Sequence, residues 1–414
     1  MAQLSEDCFA FGGAMLPLEA AVQQVRAAHA CVMQVERVWL GRAVGRVLAE
    51  DVAAPFDLPR QTNSAVDGYA LRHGDLALDS PTLLRLHGRV AAGQAAPGAV
   101  APGFASRVFT GAVLPDGADT VMMQEDCEAT ADGVLVRPGI RRGANRRPAG
   151  EDVASGTIAL PAGRRLMPPD IGLLAAFGCN DVAVRGRLRV GLFSTGDELV
   201  DPPAIPGPGR TYDANRHMLA ALLDRLGMDV LDGGILPDAA GPTGRALRRA
   251  AGLVDVILTS GGVSTGEEDH VRDAIIAEGS LEFWRVAIKP GRPVALGKIG
   301  GVPLLGLPGN PVAALVTFSL LGRPLLEALG GVAPVALPRF AVPSGFVHRK
   351  KPGRREYLRV QIGADGLARR HPKEGAGILT SLTGSDALME LEETILEVVP
   401  GMALPCIPMG ALHG

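Results

Sequence analysis

The sequence is poor in aromatic residues and in cysteine, and each shortage excludes a class of protein. Phe, Trp and Tyr make up only 4% of the 414 residues, no basic run is interleaved with them, and the net charge is −3. Nucleic-acid-binding proteins carry basic patches and often stacking aromatic residues, so we expect no nucleic-acid partner. The five cysteines are odd in number, and none belongs to a Cys-x-x-Cys pair. This pattern predicts neither a disulfide framework nor a zinc site.

Long hydrophobic segments are also missing. The longest apolar run, residues 312–321, is shorter than the roughly 20 residues that cross a bilayer, and residues 1–13 contain no signal pattern. We therefore expect a soluble cytoplasmic protein with no membrane partner. At 414 residues the chain is too long for one core, and a prior of roughly 150 residues per domain predicts about three domains.

Lysine is rare as well, so the few positions that have lysine instead of arginine are informative. Only five of the 41 basic residues are lysines. Lys289 lies in the segment Ala-Ile-Lys-Pro-Gly-Arg-Pro between two strand-like runs, where a compact ammonium group could contact an oxyanion. Spacing alone does not separate this interpretation from a solvated lysine in a loop.

The first 186 residues predict helices on both sides of a β-rich segment. The first forty-odd residues are predicted to be helical because apolar residues recur at helical spacing over residues 18–28, and residues 35–47 are interpreted as a second segment. From residue 51 to about 139, short β-like runs between Gly and Pro predict a small β-rich module, interpreted as an insertion. Another helix is predicted at residues 168–174, with its apolar face against the N-terminal helix.

Residues 187–331 alternate strand-like and helix-like segments. A strand-like run precedes a helix-like one at three places, residues 188–193, 229–235 and 255–258. A helix predicted at residues 311–329 closes the segment. Such alternation predicts a mostly parallel, doubly wound sheet with ligands outside the carboxyl ends of its strands. Residues 334–414 return to short β-like stretches and predict a small C-terminal β domain.

The turn Thr-Ser-Gly-Gly-Val-Ser-Thr-Gly at residues 259–266 is the most informative motif. It follows an apolar strand-like run and precedes a helix-like segment, so it predicts outward-pointing backbone N–H groups beside the positive end of a helix dipole. Such a turn suits a phosphate or another oxyanion. Taken alone, it is equally well explained as a tight strand-to-helix connection.

Two other loops are expected beside that turn, because they also follow strands of the same sheet. They are Ser-Thr-Gly-Asp-Glu at 194–198 and Leu-Pro-Gly-Asn-Pro at 307–311. Their hydroxyl and backbone N–H groups suit phosphate, while Asp197, Glu198 and Asp269 could hold a divalent cation, for which Mg²⁺ fits best. Helix capping by these acids is the alternative.

Three polar loops lie outside the α/β segment, at residues 63–70, 110–119 and 148–152. The Gly and Asp residues of the first two loops are also typical of ordinary turns. The third loop has two carboxylates beside a run of arginines, so its alternative is an ion-paired, solvent-exposed surface.

Seven motifs in a fixed order give the chain a resemblance to a known family. They are Asn-Ser-Ala-Val-Asp-Gly-Tyr-Ala at 63–70, Thr-Gly-Ala-x-Leu-Pro-x-Gly-Ala-Asp at 110–119, Gly-Glu-Asp at 150–152, Phe-Ser-Thr-Gly-Asp-Glu-Leu at 193–199, Ser-Gly-Gly-Val-Ser-x-Gly at 260–266, Lys-Pro-Gly-Arg-Pro at 289–293 and Leu-Pro-Gly-Asn-Pro at 307–311. With these motifs, essentially the whole chain resembles the molybdopterin molybdotransferase family, which includes the E domain of gephyrin.

The resemblance implies a multidomain α/β and β fold in four parts. A helix-containing domain would be built from residues 1–50 and 141–186, with an inserted β-rich module at 51–140. A doubly wound α/β domain that binds molybdopterin would span residues 187–331. A β-barrel-like domain would follow at residues 332–414.

The resemblance also implies an activity. Members of the family form elongated homodimers with the active cleft between subunits, and they convert adenylylated molybdopterin and molybdate to molybdenum cofactor and AMP with a divalent cation. Molybdopterin adenylyltransferase is the implied protein partner. Two alternatives stay open: a non-catalytic molybdopterin-binding scaffold, and an α/β domain that itself adenylylates molybdopterin.

The loops and the resemblance together assign site residues. The catalytic set is Asp67, Thr110, Asp152, Glu198, Asp238, Asp269 and Lys289. The substrate-binding set is Ser260, Gly261, Gly262, Ser264, Gly266, Arg285, Pro308, Gly309, Asn310, Pro311, Arg354 and Ser381. The metal set for Mg²⁺ is Glu198, Asp238 and Asp269. Lys289, Arg285 and Arg354 are expected to bind molybdate, because it is a dianion.

Two positions depart from the family pattern. Gln61 and Thr62 precede Asn63, where the family commonly has an aromatic residue and an aspartate, so no role is assigned to Thr62. Ala376 stands where many relatives have serine, which weakens the case for a molybdate contact at that position.

Overall fold

The computed structural model of the chain describes residues 15–263 and 270–413. The N-terminal part is built from two stretches of the chain that pair with each other. Its elements in the first stretch are α1 (Leu18–Ala28), β1 (Val35–Trp39) and β2 (Val52–Ala53).

Residues 63–136 form the β-rich module. Its strands are β3 (Asn63–Ser64), β4 (Gly68–Leu71), β5 (Thr82–Val90), β6 (Phe104–Val108), β7 (Thr120–Met123), β8 (Cys127–Thr130) and β9 (Gly133–Val136). The last six of them form one sheet in the order β7-β4-β6-β5-β9-β8. Two apolar clusters lie on this sheet, one around Leu71, Leu84 and Val134 and the other around Val90, Val108 and Val121.

The chain then returns to the N-terminal part. The elements are β10 (Arg146–Arg147), β11 (Ile158–Leu160), α2 (Pro168–Ala176) and β12 (Asp181–Arg185). Strand β12 pairs antiparallel with β1, β11 pairs with β2, and β10 pairs with β3 of the module. The module is therefore inserted between two segments that come together in space, while its exact limits of 51 and 140 stay a prediction.

Two predictions for the N-terminal part are wrong. Helix was expected through the first forty-odd residues, but Val35–Trp39 is a strand, because its partner Asp181–Arg185 completes a ladder that local periodicity does not show. The helix at 168–174 was expected to pack on the N-terminal helix. Instead, Leu174 of α2 packs with Leu48 and Val184, whereas α1 packs in the large core of the α/β domain.

The α/β domain contains most of the apolar core. Its elements are β13 (Arg189–Thr195), β14 (Leu199–Val200), β15 (Thr211–Tyr212), α3 (Ala214–Arg225), β16 (Asp229–Leu236), α4 (Ala240–Ala251), β17 (Val256–Ser260), α5 (His270–Glu278), β18 (Gly279–Arg285), β19 (Ile288–Lys289), β20 (Pro293–Ile299), β21 (Val302–Leu307), α6 (Pro311–Thr317) and α7 (Arg323–Leu329).

The sheet of this domain has the order β16-β13-β17-β21-β20-β18. Its first four strands run parallel, and β20 and β18 are antiparallel to their neighbours. One face packs on α1, α3, α6 and α7, and the other on α4 and α5, through two separate apolar clusters. Helices thus cover both faces of a mostly parallel sheet, which confirms the predicted doubly wound fold. Its near-continuous apolar strands are typical of a sheet that is buried on both faces.

The C-terminal domain is a β structure joined to the α/β domain by one strand. Its elements are β22 (Phe340–Pro343), β23 (His348–Arg349), β24 (Arg355–Ile362), β25 (Ala368–Arg370), α8 (Thr380–Thr383), β26 (Ala387–Leu391), β27 (Glu397–Val398), β28 (Ala403–Pro408) and α9 (Met409–Leu412). The main sheet has the order β19-β24-β26-β28-β22, with β25 on β24. Its barrel-like closure stays a prediction.

One helix among the described residues, Pro311–Leu329, is long and apolar enough to cross a membrane by length and composition. However, 83% of its most apolar window is buried inside the fold. It consists of α6 and α7 joined by one π-helical turn, Phe318–Gly322, and it packs on the sheet through Leu315, Phe318 and Leu326. We therefore interpret it as the central core helix of the α/β domain.

Truncation of a core side chain in this sheet is expected to be costly. Leu305 in β21 is fully buried between the register partners Leu258 and Leu296. Leu305→Ala should lower the free energy of unfolding by about 2–5 kcal/mol, because it removes apolar contacts and leaves a cavity. Leu253→Ala, at a position 55% exposed, is the control and should change stability little. Urea unfolding compares both with wild type, and equal effects would contradict the assigned core.

Candidate active site

The site begins where the four parallel strands end. In register, Ser194 of β13 lies opposite Ser260 of β17, and Ser260 lies opposite Leu307 of β21. Thr195 lies opposite Leu236 of β16. The loops that start after these residues therefore leave the sheet at one edge. The three loops expected to be neighbours from the sequence lie together at this edge, and the loop of Asp238 joins them.

The glycine turn after β17 is shaped by its close contact with Thr195 at the end of β13. Gly261 and Gly262 have φ values of 95° and 68°, in the left-handed region that favours glycine. A Cβ atom would approach the Thr195 hydroxyl oxygen to 2.7 Å at residue 261 and to 2.9 Å at residue 262. The Gly261 N–H donates to the Leu307 carbonyl at 2.9 Å, so it holds the turn to β21 and is not free to bind phosphate. The predicted Ser264, Gly266 and Asp269 lie outside the described residues.

Acidic side chains meet at the ends of β13 and β16. The Asp197 N–H donates to Asp238 Oδ2 at 3.0 Å, and the Asp238 N–H donates to Asp197 Oδ1 at 3.2 Å. Glu198 folds back over Gly196, and its carboxylate fills the space that a Cβ at residue 196 would need. In residues 15–263 and 270–413, no group of three His, Cys, Asp or Glu side chains is placed to hold a metal ion. Of the predicted metal ligands, Glu198 and Asp238 are described at this edge. Asp197, the other acid here, uses Oδ1 to accept the Asp238 N–H.

A cavity of about 750 Å³ lies between the α/β domain and the C-terminal domain. The Lys289–Pro293 segment and the loop after β21 form one wall, and β24 and residues 370–376 form another. Its lining is rich in cationic side chains: Lys289, Arg292, Arg354, Arg359 and Arg370, with His348 and His371. Three acids also line it, Glu198, Glu356 and Glu374. A cavity with this excess of positive charge suits a small anion.

Arg359 is the most notable of the cavity cations that sequence reasoning missed, which also include Arg292 and Arg370. Its residue surface is only 8% exposed, and its Nε atom has no hydrogen-bond partner among the described residues. Burial, and then the charge of neighbouring Arg370, lower the pKa of the Arg359 guanidinium below its usual value. A buried cation without a carboxylate partner is costly unless an anion binds it. An arginine inside the otherwise apolar strand sequence of residues 357–360 was the available signal.

Lys289 is held by an acid from the other domain. Its Nζ donates to Glu356 Oε1 at 2.7 Å, and the same oxygen lies 3.5 Å from His348 Nε2. Burial lowers the pKa of His348, and this outweighs the opposing effect of Glu356. The ion pair therefore places the predicted catalytic lysine at the wall of the large cavity.

A second cavity of about 300 Å³ adjoins the first, and both are lined by Glu198, Gly309 and Asn310. Asn215, which sequence reasoning also missed, lines this second cavity. Asn215 Nδ2 donates to Ser260 Oγ at 2.8 Å and to the Gly309 carbonyl at 2.7 Å. Both amide protons are used, so the orientation of the side-chain amide is fixed. The Asn215 amide thereby ties the loop after β17 to the loop after β21.

The predicted substrate-binding residues divide into two groups. Ser260, Pro308, Gly309, Asn310, Pro311 and Arg354 line one cavity or both. Gly261, Gly262, Arg285 and Ser381 are described but line neither. Ser381 Oγ donates to the Ile378 carbonyl at 2.6 Å, which uses the hydroxyl inside the protein. Arg285 ends β18 opposite Pro293, which lines the large cavity.

Asp67 and Thr110 form a separate polar pair in the β-rich module. The Thr110 N–H and the Thr110 hydroxyl both donate to Asp67 Oδ1 at 2.8 Å. These two hydrogen bonds, with the charge of Arg107, hold the pKa of Asp67 below its usual 3.8. The Arg107 guanidinium lies 4.9 Å from the Tyr69 ring and 5.0 Å from the Phe109 ring. Asp67 is therefore an ionised acceptor at neutral pH.

Asp152 lies on an exposed loop between β10 and β11. Its backbone N–H donates to the Leu58 carbonyl at 2.9 Å. Thr62, to which no role was assigned, accepts the Ala149 N–H at 3.2 Å and so fastens this loop to the segment before Asn63. Asp67, Thr110 and Asp152, which are all described, line neither of the two cavities. Within one chain the structure does not bring the two sets of predicted catalytic residues together.

Three family models match the chain in succession. Residues 16–178 match "MoeA N-terminal region (domain I and II)", residues 191–328 match "Probable molybdopterin binding domain", and residues 342–408 match "MoeA C-terminal region (domain IV)". The matches follow the N-terminal part with its module, the α/β domain and the C-terminal domain in that order.

Relatives match over nearly the full chain. A protein of Haemophilus influenzae named molybdopterin molybdenumtransferase is 34% identical over 92% of this chain and 95% of its own length. One of the same name from a Nostoc species is 36% identical over 87% of this chain and 86% of its own length. The crystal structure of a molybdopterin biosynthesis moeA protein from Pyrococcus horikoshii covers 95% of this chain and 100% of that chain, with 30% identity and a TM-score of 0.81.

Sequence identity, coverage and domain order all agree with the seven motifs and with the acidic and cationic groups at the sheet edge. The chain belongs to the molybdopterin molybdenumtransferase family.

Proposed function

We propose that the chain inserts molybdate into adenylylated molybdopterin, releasing AMP and forming molybdenum cofactor. The observation that carries the proposal is the buried Arg359 guanidinium, which lies in the cationic cavity next to the carboxyl edge of the sheet. Among the described residues, it has no carboxylate partner. Molybdate is a compact dianion, and an unpaired buried arginine binds such an oxyanion through charge-assisted hydrogen bonds. Lys289 and Arg354 line the same cavity and add positive charge.

Cleavage of the phosphoanhydride builds negative charge on the phosphate oxygens. Glu198 and Asp238 would hold a divalent cation at the sheet edge, and Mg²⁺ suits them because it binds few carboxylates and keeps several waters. A bound cation would neutralise the developing charge. Asp269, the third predicted ligand, lies outside the described residues. Asn215 and Ser260 fix the loops that carry Gly309 and Asn310 against the substrate.

The active form is proposed to be a homodimer. Asp67, Thr110 and Asp152 line neither cavity within one chain, so a second copy would have to supply them to complete the site. An isologous dimer would form two such sites, each from both subunits. A cytoplasmic location and delivery of substrate by molybdopterin adenylyltransferase are parts of the same proposal.

The direct test is release of AMP from adenylylated molybdopterin by the purified chain. Wild type should release AMP with molybdate and Mg²⁺ and much less without molybdate. Arg359→Ala should raise the KM for molybdate at least tenfold, because charge-assisted hydrogen bonds of about 1.5–3 kcal/mol are lost. Arg349→Ala, at an exposed arginine paired with Glu397, is the control and should behave as wild type.

The alternatives give different results in the same assay. Bound substrate with no AMP release at any molybdate concentration would support the scaffold. Adenylylation of free molybdopterin from ATP would support the adenylyltransferase. An unchanged KM for molybdate in Arg359→Ala would remove Arg359 from the anion site.

Complementation between two inactive variants tests the shared cleft. Asp67→Asn and Glu198→Gln homodimers should each lose most activity. A heterodimer of the two variants can be purified through two different tags. One of its two sites then combines the intact Glu198 of one subunit with the intact Asp67 of the other, so the heterodimer should recover roughly half of the wild-type rate per dimer. If the purified heterodimer were no more active than the two variant homodimers, each site would be built within one chain.

The Ala376 departure gives a gain-of-affinity prediction. Ala376 lines the large cavity, and its carbonyl accepts the Val312 N–H at 2.9 Å, which fixes its backbone at the start of α6. Ala376→Ser should lower the KM for molybdate about fivefold, through one added hydrogen bond of about 1 kcal/mol. Ala364→Ser, on an exposed turn, is the matched control. An unchanged KM in Ala376→Ser would show that this wall does not contact the anion.

A further inference from the structure

The α/β domain gives one strand to the sheet of the C-terminal domain. Strand β19 pairs parallel with β24, and Lys289 lies directly opposite Glu356 in that register. The ion pair between Lys289 Nζ and Glu356 Oε1 therefore joins side chains that the backbone ladder already aligns. Both line the large cavity.

The two side chains of this ion pair differ in solvent exposure. The Glu356 side chain is 6% exposed, whereas the Lys289 side chain is 51% exposed. A buried carboxylate needs a charged or hydrogen-bonding partner, so Glu356 is the fixed member of the pair. Lysine has a long flexible stem, and without Glu356 nothing in the described contacts of Nζ would keep it at the cavity wall.

Glu356 also has the wrong charge to serve as an anion ligand. A carboxylate on the wall of a cationic cavity repels an oxyanion and weakens its binding. Any favourable effect of Glu356 on the reaction must therefore come from another interaction. The shortest described contact of its carboxylate is the 2.7 Å hydrogen bond from Lys289, and His348 lies further away at 3.5 Å.

We propose that Glu356 is a positioning residue for the reaction, which holds the Lys289 ammonium group in the orientation that acts on the substrate. This inference rests on the proposed function. The C-terminal domain thereby sets the geometry of a lysine that belongs to the α/β domain. Lys289 is the residue that contacts substrate, and Glu356 acts through it.

The kinetic test uses the full chain with Glu356→Gln, which keeps the shape of the side chain and removes its charge. The kcat of molybdate-dependent AMP release should fall at least tenfold, while the KM for molybdate should stay equal or decrease. Glu356→Asp should recover part of kcat. In a Lys289→Gln background, Glu356→Gln should cause little further loss, because both changes remove one interaction.

Glu374→Gln is the matched control, because it removes the same charge from the same cavity wall. Glu374 pairs with Arg370 and has no described contact with Lys289. It should change the KM for molybdate more than kcat. Equal losses of kcat in Glu356→Gln and Glu374→Gln, or full additivity with Lys289→Gln, would overturn the proposal.

A second measurement does not depend on turnover. Competitive acetylation with acetic anhydride should modify Lys289 several-fold faster in Glu356→Gln than in wild type, with exposed Lys373 as the internal reference. Glu374→Gln should leave the ratio unchanged. An unchanged ratio in Glu356→Gln would refute the positioning role even if AMP release were absent, whereas faster labelling without AMP release would reject only the proposed function.

Discussion

The in-register pairing of four parallel strands is the constraint on which the site depends. Ser194, Ser260 and Leu307 lie side by side, and Thr195 lies opposite Leu236, so four loops start at one edge. Side chains alternate between the faces of a sheet, and a slip of one residue would turn Ser194 and Ser260 to the opposite face. Thr195 then could not pack against the glycine turn. Apolar strands buried on both sides fix this register and, with it, the positions of the polar loops.

The second requirement is electrostatic and involves two domains. The cationic side chains of the large cavity come from the Lys289–Pro293 segment and from the C-terminal domain, and the shared β19–β24 ladder keeps these together. The ladder places Glu356 against Lys289, whereas Arg359 has no acid partner in the part of the chain that the structure describes. Lys289 and Arg370 thus each have an acid partner within the protein, whereas Arg359 keeps its charge for an incoming anion.

Much of this architecture could be predicted from the sequence, because strand and helix periodicity are local properties. The alternation over residues 187–331 predicted the doubly wound sheet, and the rule for strand ends predicted adjacent loops. Strand Val35–Trp39 could not be predicted in this way, since its partner lies at residues 181–185. Arg359 was missed because burial is a tertiary property, and Arg354 a few residues away has the same local appearance. The separation of Asp67 and Thr110 from the cavities also depends on domain placement, which no single motif encodes.

The buried helix Pro311–Leu329 has a consequence for the synthesis of the chain. Every strand of the sheet on which it packs lies between residues 189 and 307, so all of them leave the ribosome before this helix does. Domains form largely as units while the chain emerges from its N-terminus. This long apolar helix thus emerges after the chain has supplied the strands that will cover it, which shortens the period in which it could bind chaperones or a translocation channel.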